Sequence, residues 1–342
     1  MGLTRAWISM IADELLADGI LEERPQLTAQ RGRAPTPLAL RSDAYFAGCA
    51  AISRSGCRIG IVNIGGDVLA EKEIRTDCAE GGSEKLALLA DALEKMLADA
   101  GLPENRLLGV GVSAPGPLDA EEGRILNPPR FDAWHGVDLV TPLKARLGIP
   151  VYLANLATAC AVYCHHRPET ADSDNFLLLI VNEGGVGSGI ISQGKLLHSA
   201  GRFTSELGHV SIDYRGRPCP CGNTGCLEMY AAIPRILEEA GGRYTSWRDA
   251  VDRGADDVIR HEAQYLAAGI AAAVNMINVD TVLLAGDILY GFDRLSAEIS
   301  AELSGRLLPP GASSLRILPA PSGAGIDILC AGDIVFSRFL TM

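Results

Sequence analysis

The chain of 342 residues contains no apolar run approaching the roughly 18 residues that a membrane-spanning helix needs, so insertion into a bilayer is not expected. Its N-terminus has no basic segment followed by an apolar core, which excludes a secretory signal of the usual kind. Positive charge is scarce as well: 30 Lys and Arg stand against 42 Asp and Glu, a net charge of −12. Neutralising phosphates takes clustered cations, so a whole-surface affinity for nucleic acid is excluded and any DNA contact must come from a local basic patch. The nine cysteines are odd in number, and six of them (Cys49, Cys57, Cys78, Cys160, Cys164, Cys330) are scattered. That is no disulfide framework, and a reducing cytoplasm fits. With 48% hydrophobic and 21% charged residues, the chain is an ordinary globular protein with material for two or three domains.

What is present is concentrated in one loop. His209, Cys219, Cys221 and Cys226 fall within eighteen residues, separated by Pro218, Pro220, Gly222 and Gly225. Zn²⁺ takes four tetrahedral ligands, and three thiolates with one imidazole are a standard structural set. Glycines and prolines let a short loop double back so that Cys219 and Cys221 reach one ion. The alternative, three buried thiols beside an unrelated histidine, fits the C-x-C-x₄-C spacing poorly. Glu206 and Glu228 bracket the cluster, which suits a metal that braces a ligand site rather than one that performs chemistry.

Along the chain, residues 4–17 read as a helix with Thr4 as N-cap and Ile8, Ile11, Leu15 and Leu16 at helical spacing. A short strand, the basic turn Arg31-Gly32-Arg33 and a second strand at Leu38–Leu40 follow, the pattern of a winged helix after its recognition helix. Strands are expected at Phe46–Ile52, Arg58–Val62, Val68–Ala70, Leu107–Val112, Pro150–Leu153, Phe176–Val181, Thr281–Ala285 and near Leu315–Pro319. Helices are expected at about 83–100, from Ala157 to Tyr163, at 262–277 and from about Gly325 to the end. A glycine-rich turn is expected through Glu183–Gly189. Strand triplets followed by helices, twice over, predict two α/β lobes with a cleft between them, and glycine-rich turns after strands face such clefts.

The residues at this point resemble the ROK (repressor, open reading frame, kinase) family of bacterial sugar metabolism. The resemblance covers essentially the whole chain and rests most on Glu206-Leu207-Gly208-His209 followed by Cys219-Pro220-Cys221-Gly222-Asn223-Thr224-Gly225-Cys226-Leu227-Glu228. Pro115-Gly116-Pro117, Trp134, Pro150-Val151 before Asn155, Gly184–Gly189, Asn275 and Leu284-Ala285-Gly286 support it. It implies a two-lobed actin-like ATPase (ribonuclease H-like) fold with sugar in the cleft. The lobes would comprise residues 44–155 with 326–342, and residues 156–325, preceded by a partial winged helix at 1–43. The family's sugar contacts map onto Gly116, Asn155, Glu206, His209 and Glu228, and its metal ligands onto His209, Cys219, Cys221 and Cys226. Carboxylates and an amide suit hydroxyls that both donate and accept, and the metal would fix the His209 ring.

The same resemblance separates kinases from regulators. Family kinases carry Asn-Asp, the aspartate being general base, where this chain has Asn155-Leu156. Leucine accepts no proton, and losing a positioned base removes about 10²–10⁴-fold of rate. Their Asp-x-Gly-Gly-Thr-like phosphate turn is replaced by the stretch from Ala50 to Cys57, which has no carboxylate for Mg²⁺ and no paired glycines. The expected protein is therefore a sugar-responsive transcriptional regulator without catalytic residues, acting as a homodimer or dimer of dimers on a DNA operator and taking a sugar or sugar phosphate as effector. Thr4, Arg5 and Ser9, with Trp7 and Met10, would face the major groove, and Arg31 and Arg33 would enter the minor groove or hold phosphate. The helices that should precede the recognition helix are not in this sequence; either the protein begins upstream or this form is a sugar-sensing remnant. The alternatives are an ATP-dependent sugar kinase with an unrecognised base, and a sugar-binding scaffold that touches neither ATP nor DNA.

Overall fold

Two uninterrupted apolar runs seed the molecule: Phe46–Ile52, buried along its whole length, and Phe176–Asn182, buried over its first six residues. Strands covered on both faces need apolar residues at every position, and each becomes the centre of a five-stranded sheet. The computed structural model describes residues 4–25, 36–54, 56–75, 81–129, 131–167, 172–197, 205–308 and 314–340.

The chain opens with helix α1 (Arg5–Ala17) and the antiparallel pair β1 (Leu21–Glu23) and β2 (Leu38–Leu40), in register Leu21 to Leu40. The first sheet contains β3 (Phe46–Ile52), β4 (Cys57–Asn63), β5 (Val68–Ile74), β6 (Leu107–Ala114) and, after the small hairpin β7 (Leu118–Asp119) and β8 (Arg124–Ile125), β9 (Val151–Asn155). Helices α2 (Gly82–Ala100) and α3 (Val140–Leu147) cover one face. Helix α4 (Leu156–His165) then leads to the second sheet, built from β10 (Phe176–Asn182), β11 (Gly185–Ser192), β12 (Lys195–Leu196), β13 (Thr281–Gly286) and β14 (Arg316–Pro319). Between β12 and β13 lie the cysteine loop and helices α5 (Glu228–Ala231), α6 (Ile233–Glu239), α7 (Trp247–Asp252) and α8 (Asp256–Ile277). Helices α9 (Phe292–Leu303) and α10 (Ile326–Leu340) complete the chain.

The sheets repeat one plan. Their orders are β5-β4-β3-β6-β9 and β12-β11-β10-β13-β14. Each is an antiparallel meander of three strands to which two parallel strands are added. The doubled strand triplet expected from the sequence is thus observed, in two mixed sheets of an actin-like two-lobed fold. Helix α10 lies on the first sheet, and Gly111 is the reason it can: a Cβ there would meet the Ala331 carbonyl at 1.9 Å.

The glycine-rich stretch differs from expectation. Only Glu183 and Gly184 turn, while Gly185–Ser192 is strand β11, paired with β10 along its length. A Cβ on Gly187 would lie 3.2 Å from the Ala157 Cβ, and one on Gly189 would lie 2.7 Å from the Ala157 carbonyl. These glycines serve the close approach of α4 rather than a reversal of the chain. Strand β5 also runs on to Ile74, and the helix expected from Ala157 spans Leu156–His165.

Among the described residues no helix is long and apolar enough to cross a membrane. Helix α1 has no buried residue; Trp7, Ile8 and Met10 are exposed.

Candidate functional site

A cavity of about 1040 Å³ opens between the two sheets, and Gly116, Asn155, Glu206, His209 and Glu228 all line it. Each arrives by a local device. Asn155 ends β9 and caps α4, its Oδ1 accepting the Ala157 N–H at 2.8 Å, so the amide orientation is set and the Nδ2 donor remains for other partners. Gly116 leaves space at this point: a Cβ would sit 2.6 Å from Asn155 Nδ2 and 2.9 Å from Glu206 Oε1. Amide and carboxylate therefore converge where no side chain intrudes.

Glu206 precedes a single 3₁₀ turn at Leu207–His209, which is pressed on β11 because Gly208 has no Cβ to strike the Val186 carbonyl at 2.2 Å. Ser188 Oγ accepts the Leu207 N–H at 3.1 Å and fixes the turn. Burial, with the nearby Glu228 charge second, pushes the Glu206 carboxyl up to about 7. Glu228 starts α5; its Oε2 accepts the Val186 N–H at 3.1 Å, over Gly185, whose Cβ would fall 2.2 Å away. Two carboxyls and an amide thus face one space with both donor and acceptor capacity, the equipment for a polyhydroxylated ligand.

His209 belongs to the cleft and to the loop beneath it. One ligand atom from each of His209, Cys219, Cys221 and Cys226 lies within 4.8 Å of the others. Cys219 Sγ is 3.7 Å from His209 Nδ1, and Cys221 Sγ is 3.7 Å from Cys226 Sγ. Bonds of roughly 2.3 Å in a tetrahedron place sulfurs roughly 3.8 Å apart, so the donor set fits one four-coordinate ion. The loop closes on itself through Cys219 N–H to Asn223 O at 2.8 Å and Asn223 Nδ2 to His209 O at 3.2 Å. Gly225, at φ 74°, passes so near the Asp213 carbonyl that a Cβ would lie 1.7 Å from it.

The opposite end of the cleft has another character. The β10–β11 turn carries three N–H groups that the chain itself satisfies: Glu183 N donates to Asp287 Oδ2 at 3.1 Å, and Gly184 N and Gly185 N donate to Asn182 Oδ1 at 2.8 and 3.2 Å. Arg54, from the β3–β4 connection, donates to the Pro129 carbonyl from Nε and Nη2 at 3.3 and 3.1 Å. Its Nη1 lies 3.1 Å from where a Gly184 Cβ would be. Leu156, the first residue of α4, presents an apolar side chain to the same cleft. Asn182, Asp287, Arg54 and Arg248, which stacks 4.2 Å over the Tyr290 ring, are lining residues that sequence reasoning passed over. Only the Gly286-Asp287 step directly after a strand offered a signal.

Of the residues considered for DNA, Thr4 caps α1 by accepting the Trp7 N–H at 3.4 Å, and Arg5 and Ser9 are exposed on that helix. Arg31 and Arg33 lie outside the described residues.

Two α/β lobes of matching topology, facing each other across a polar cleft with a Cys₃His loop in one wall, define an actin-like, cleft-binding class of protein. The chain belongs to the ROK family, whose family model matches residues 53–327. A xylose repressor of Bacillus spizizenii is 25% identical over 354 residues, covering 99% of this chain and 89% of the repressor. A glucokinase of Halalkalibacterium halodurans is 27% identical over 318 residues, covering 86% of this chain and 96% of the kinase. Among solved structures, a ROK family transcriptional regulator described as a homolog of the E. coli MLC protein matches at a TM-score of 0.82 and 25% identity, over 98% of this chain and 89% of that one. Regulators and sugar kinases both stand among the relatives.

Proposed function

We propose that this chain is a sugar-responsive transcriptional regulator whose cleft binds a sugar or sugar phosphate and transfers no phosphoryl group. Leu156 carries the reading: it stands at the head of α4, beside Asn155, where a kinase of this family needs its proton-accepting carboxylate. The opposite wall agrees, since the N–H groups of the Glu183–Gly185 turn are already bonded to Asp287 and Asn182. N–H groups that are to donate to a phosphate must first give up such partners. The likeness to a xylose repressor and to a regulator structure over nearly the whole chain favours the same side of the family.

On this reading Gly116, Asn155, Glu206, His209 and Glu228 hold the sugar. Zn²⁺ on His209 Nδ1, Cys219, Cys221 and Cys226 would supply a rigid brace, leaving Nε2 as the ring atom available to a hydroxyl. Helix α1 with the β1–β2 pair would serve as winged-helix elements of the DNA-binding segment within residues 1–43, residues 44–155 with 326–342 as the first lobe, and residues 156–325 as the second. Ligand closes the lobes by binding one arrangement more tightly, and a dimer converts closure into a new spacing of its DNA-binding arms.

Calorimetric titration with D-xylose, D-glucose and N-acetyl-D-glucosamine, and with their phosphates, alongside an ADP-release assay with the same sugars, tests the proposal. The expected result is saturable binding of at least one of these with no ADP release, and sugar-sensitive retardation of the intergenic DNA upstream of the coding sequence. Turnover that disappears in Glu206→Ala would establish the kinase reading instead.

A further inference from the structure

Each of the two large sheets carries one helix at backbone distance. Helix α10 is seated on the first sheet, with the missing Cβ atoms of Gly111 and Gly332 at 1.9 Å from the Ala331 carbonyl and 2.3 Å from Val62 Cγ2. Helix α4 is seated on the second sheet over Gly187 and Gly189. The two helices pack on each other, and this seam joins the lobes. Closure of the cleft, as the proposed function has it, would slide α4 on α10, because close-packed layers shear by small steps and do not deform.

Three thiols lie in that seam. Cys160 and Cys164 are one turn apart on α4, and Cys330 faces them from α10. Cys330 belongs to the apolar cluster at the seam of α4 and α10, and Cys160 packs against that cluster. Cys160 is half-buried, whereas Cys330 is 1% exposed. One turn further along α10, buried Asp333 holds the register of the seam, with Oδ2 2.6 Å from His166 Nδ1 and Oδ1 3.5 Å from Arg167 Nη1. At the other end of α4, five residues before Cys160, Asn155 lines the cleft.

We propose that Cys160 and Cys330 form a redox modification site, oxidised by a hydroperoxide to an interlobe disulfide that fixes α4 on α10 and with it the opening of the cleft. Exposure sets the order of events. The Cys160 sulfur attacks hydrogen peroxide; an S–O bond forms, the O–O bond breaks, and the departing hydroxide takes up the thiol proton as water. The Cys330 sulfur then attacks the Cys160 sulfenic acid, forming S–S as S–O breaks, and the second hydroxide leaves as water with the Cys330 proton. Two thiols lose two electrons and one peroxide gains them. Burial pushes the Cys330 thiol well above its ordinary range, so it is the slower partner and is guarded from attack by peroxide itself. A disulfide needs Cα atoms roughly 4.4–6.8 Å apart, and a small shear of α4 on α10 is the motion that would bring the pair to that geometry.

The site stands on geometry that does not depend on which ligand the cleft takes, and so does its test. The whole protein is treated with hydrogen peroxide or dithiothreitol, alkylated, digested and analysed by mass spectrometry, and amide exchange is followed at Asn182–Val186 in both states. Expected are a linked pair of the peptides bearing Cys160 and Cys330, retained in Cys164→Ser and lost in Cys160→Ser and Cys330→Ser. Exchange in the turn should be about tenfold slower when oxidised and should recover with dithiothreitol. No Cys160–Cys330 link, a link that survives Cys330→Ser, or exchange that is the same in both states overturns the proposal.

Discussion

The two ends of the cleft use their hydrogen-bonding groups in opposite ways. At the end beside the Cys₃His loop, Asn155, Glu206 and Glu228 are each anchored by one contact or by burial, and glycines at 116 and 185 clear the space before them. At the other end, the turn's N–H groups are spent on Asn182 and Asp287, and Arg54 reaches across to the Pro129 carbonyl. A donor satisfied within the chain contributes little to a ligand, because binding then exchanges one good partner for another. On the proposed reading, one framework would keep recognition at one end, while the free N–H groups and magnesium ligand that phosphoryl transfer demands would be missing at the other, with Leu156 in the place of the base between them.

The largest expected effect breaks the recognition end outright. Structural zinc contributes about 10–16 kcal/mol to small sites at neutral pH. Chelation, or Cys226→Ser, should therefore unfold the loop from Leu207 to Glu228, release its amides to exchange and cut sugar affinity by about 100-fold or more, while the first lobe keeps its protection. Elemental analysis should return about one zinc per chain. Metal-free protein that binds sugar undiminished would end the idea of a brace.

Glu206→Ala acts on the same end without removing the loop. It should cost about 2–3 kcal/mol of sugar binding, measured by calorimetry, with the fold intact. The pH dependence has a definite sign. The folded carboxyl sits at about 7 against an ordinary 4.5, so the stability it contributes is full below pH 4.5 and is lost as pH rises towards 7, by roughly 3 kcal/mol. Glu206→Gln should flatten that slope in denaturation experiments; an unchanged slope would place the titration elsewhere.

How much of this was legible in the sequence depended on how local each signal was. The clustering of His209, Cys219, Cys221 and Cys226 was readable because the four lie within eighteen residues, with glycine and proline between them. The doubled strand triplets were readable because Phe46–Ile52 and Phe176–Val181 are apolar at nearly every position. Glycines 185, 187 and 189 misled, since a glycine that admits a neighbouring helix looks in sequence like one that reverses the chain. The capping of Glu183 N–H by Asp287 joins residues 104 positions apart, beyond any local pattern. The seat of α10 on the first sheet, far from its strands in the chain, was likewise given by resemblance rather than by periodicity.

Glu262 sharpens the meaning of Glu206, for it is a buried acid without a ligand to serve. It lies fully buried on α8, both oxygens unpartnered among the described residues, and burial raises its carboxyl well above the ordinary range. Replacing a buried, unsatisfied acid by an apolar residue of similar size removes a desolvation cost. Glu262→Leu should stabilise the fold by about 1–3 kcal/mol at pH 7, an advantage that shrinks as pH falls from 7 towards 4.5. A loss of stability in Leu at every pH would mean that the carboxyl has a polar partner.

The smallest expected effect is the sharpest test of the comparison. Leu156→Asp restores a carboxylate beside Asn155 at the cleft and nothing else. Were the base the only missing part, ADP release with a bound sugar should rise by the about 10²–10⁴-fold that such a group supplies. The Glu183–Gly185 turn would still be bonded to Asp287 and Asn182, and Ile52, Ser53 and Arg54 would still offer no carboxylate to magnesium. Positioned phosphates and metal carry most of phosphoryl transfer, so the expected rate stays within about tenfold of background. A rise of a hundredfold would show that the phosphate end still works and that a single leucine silences it.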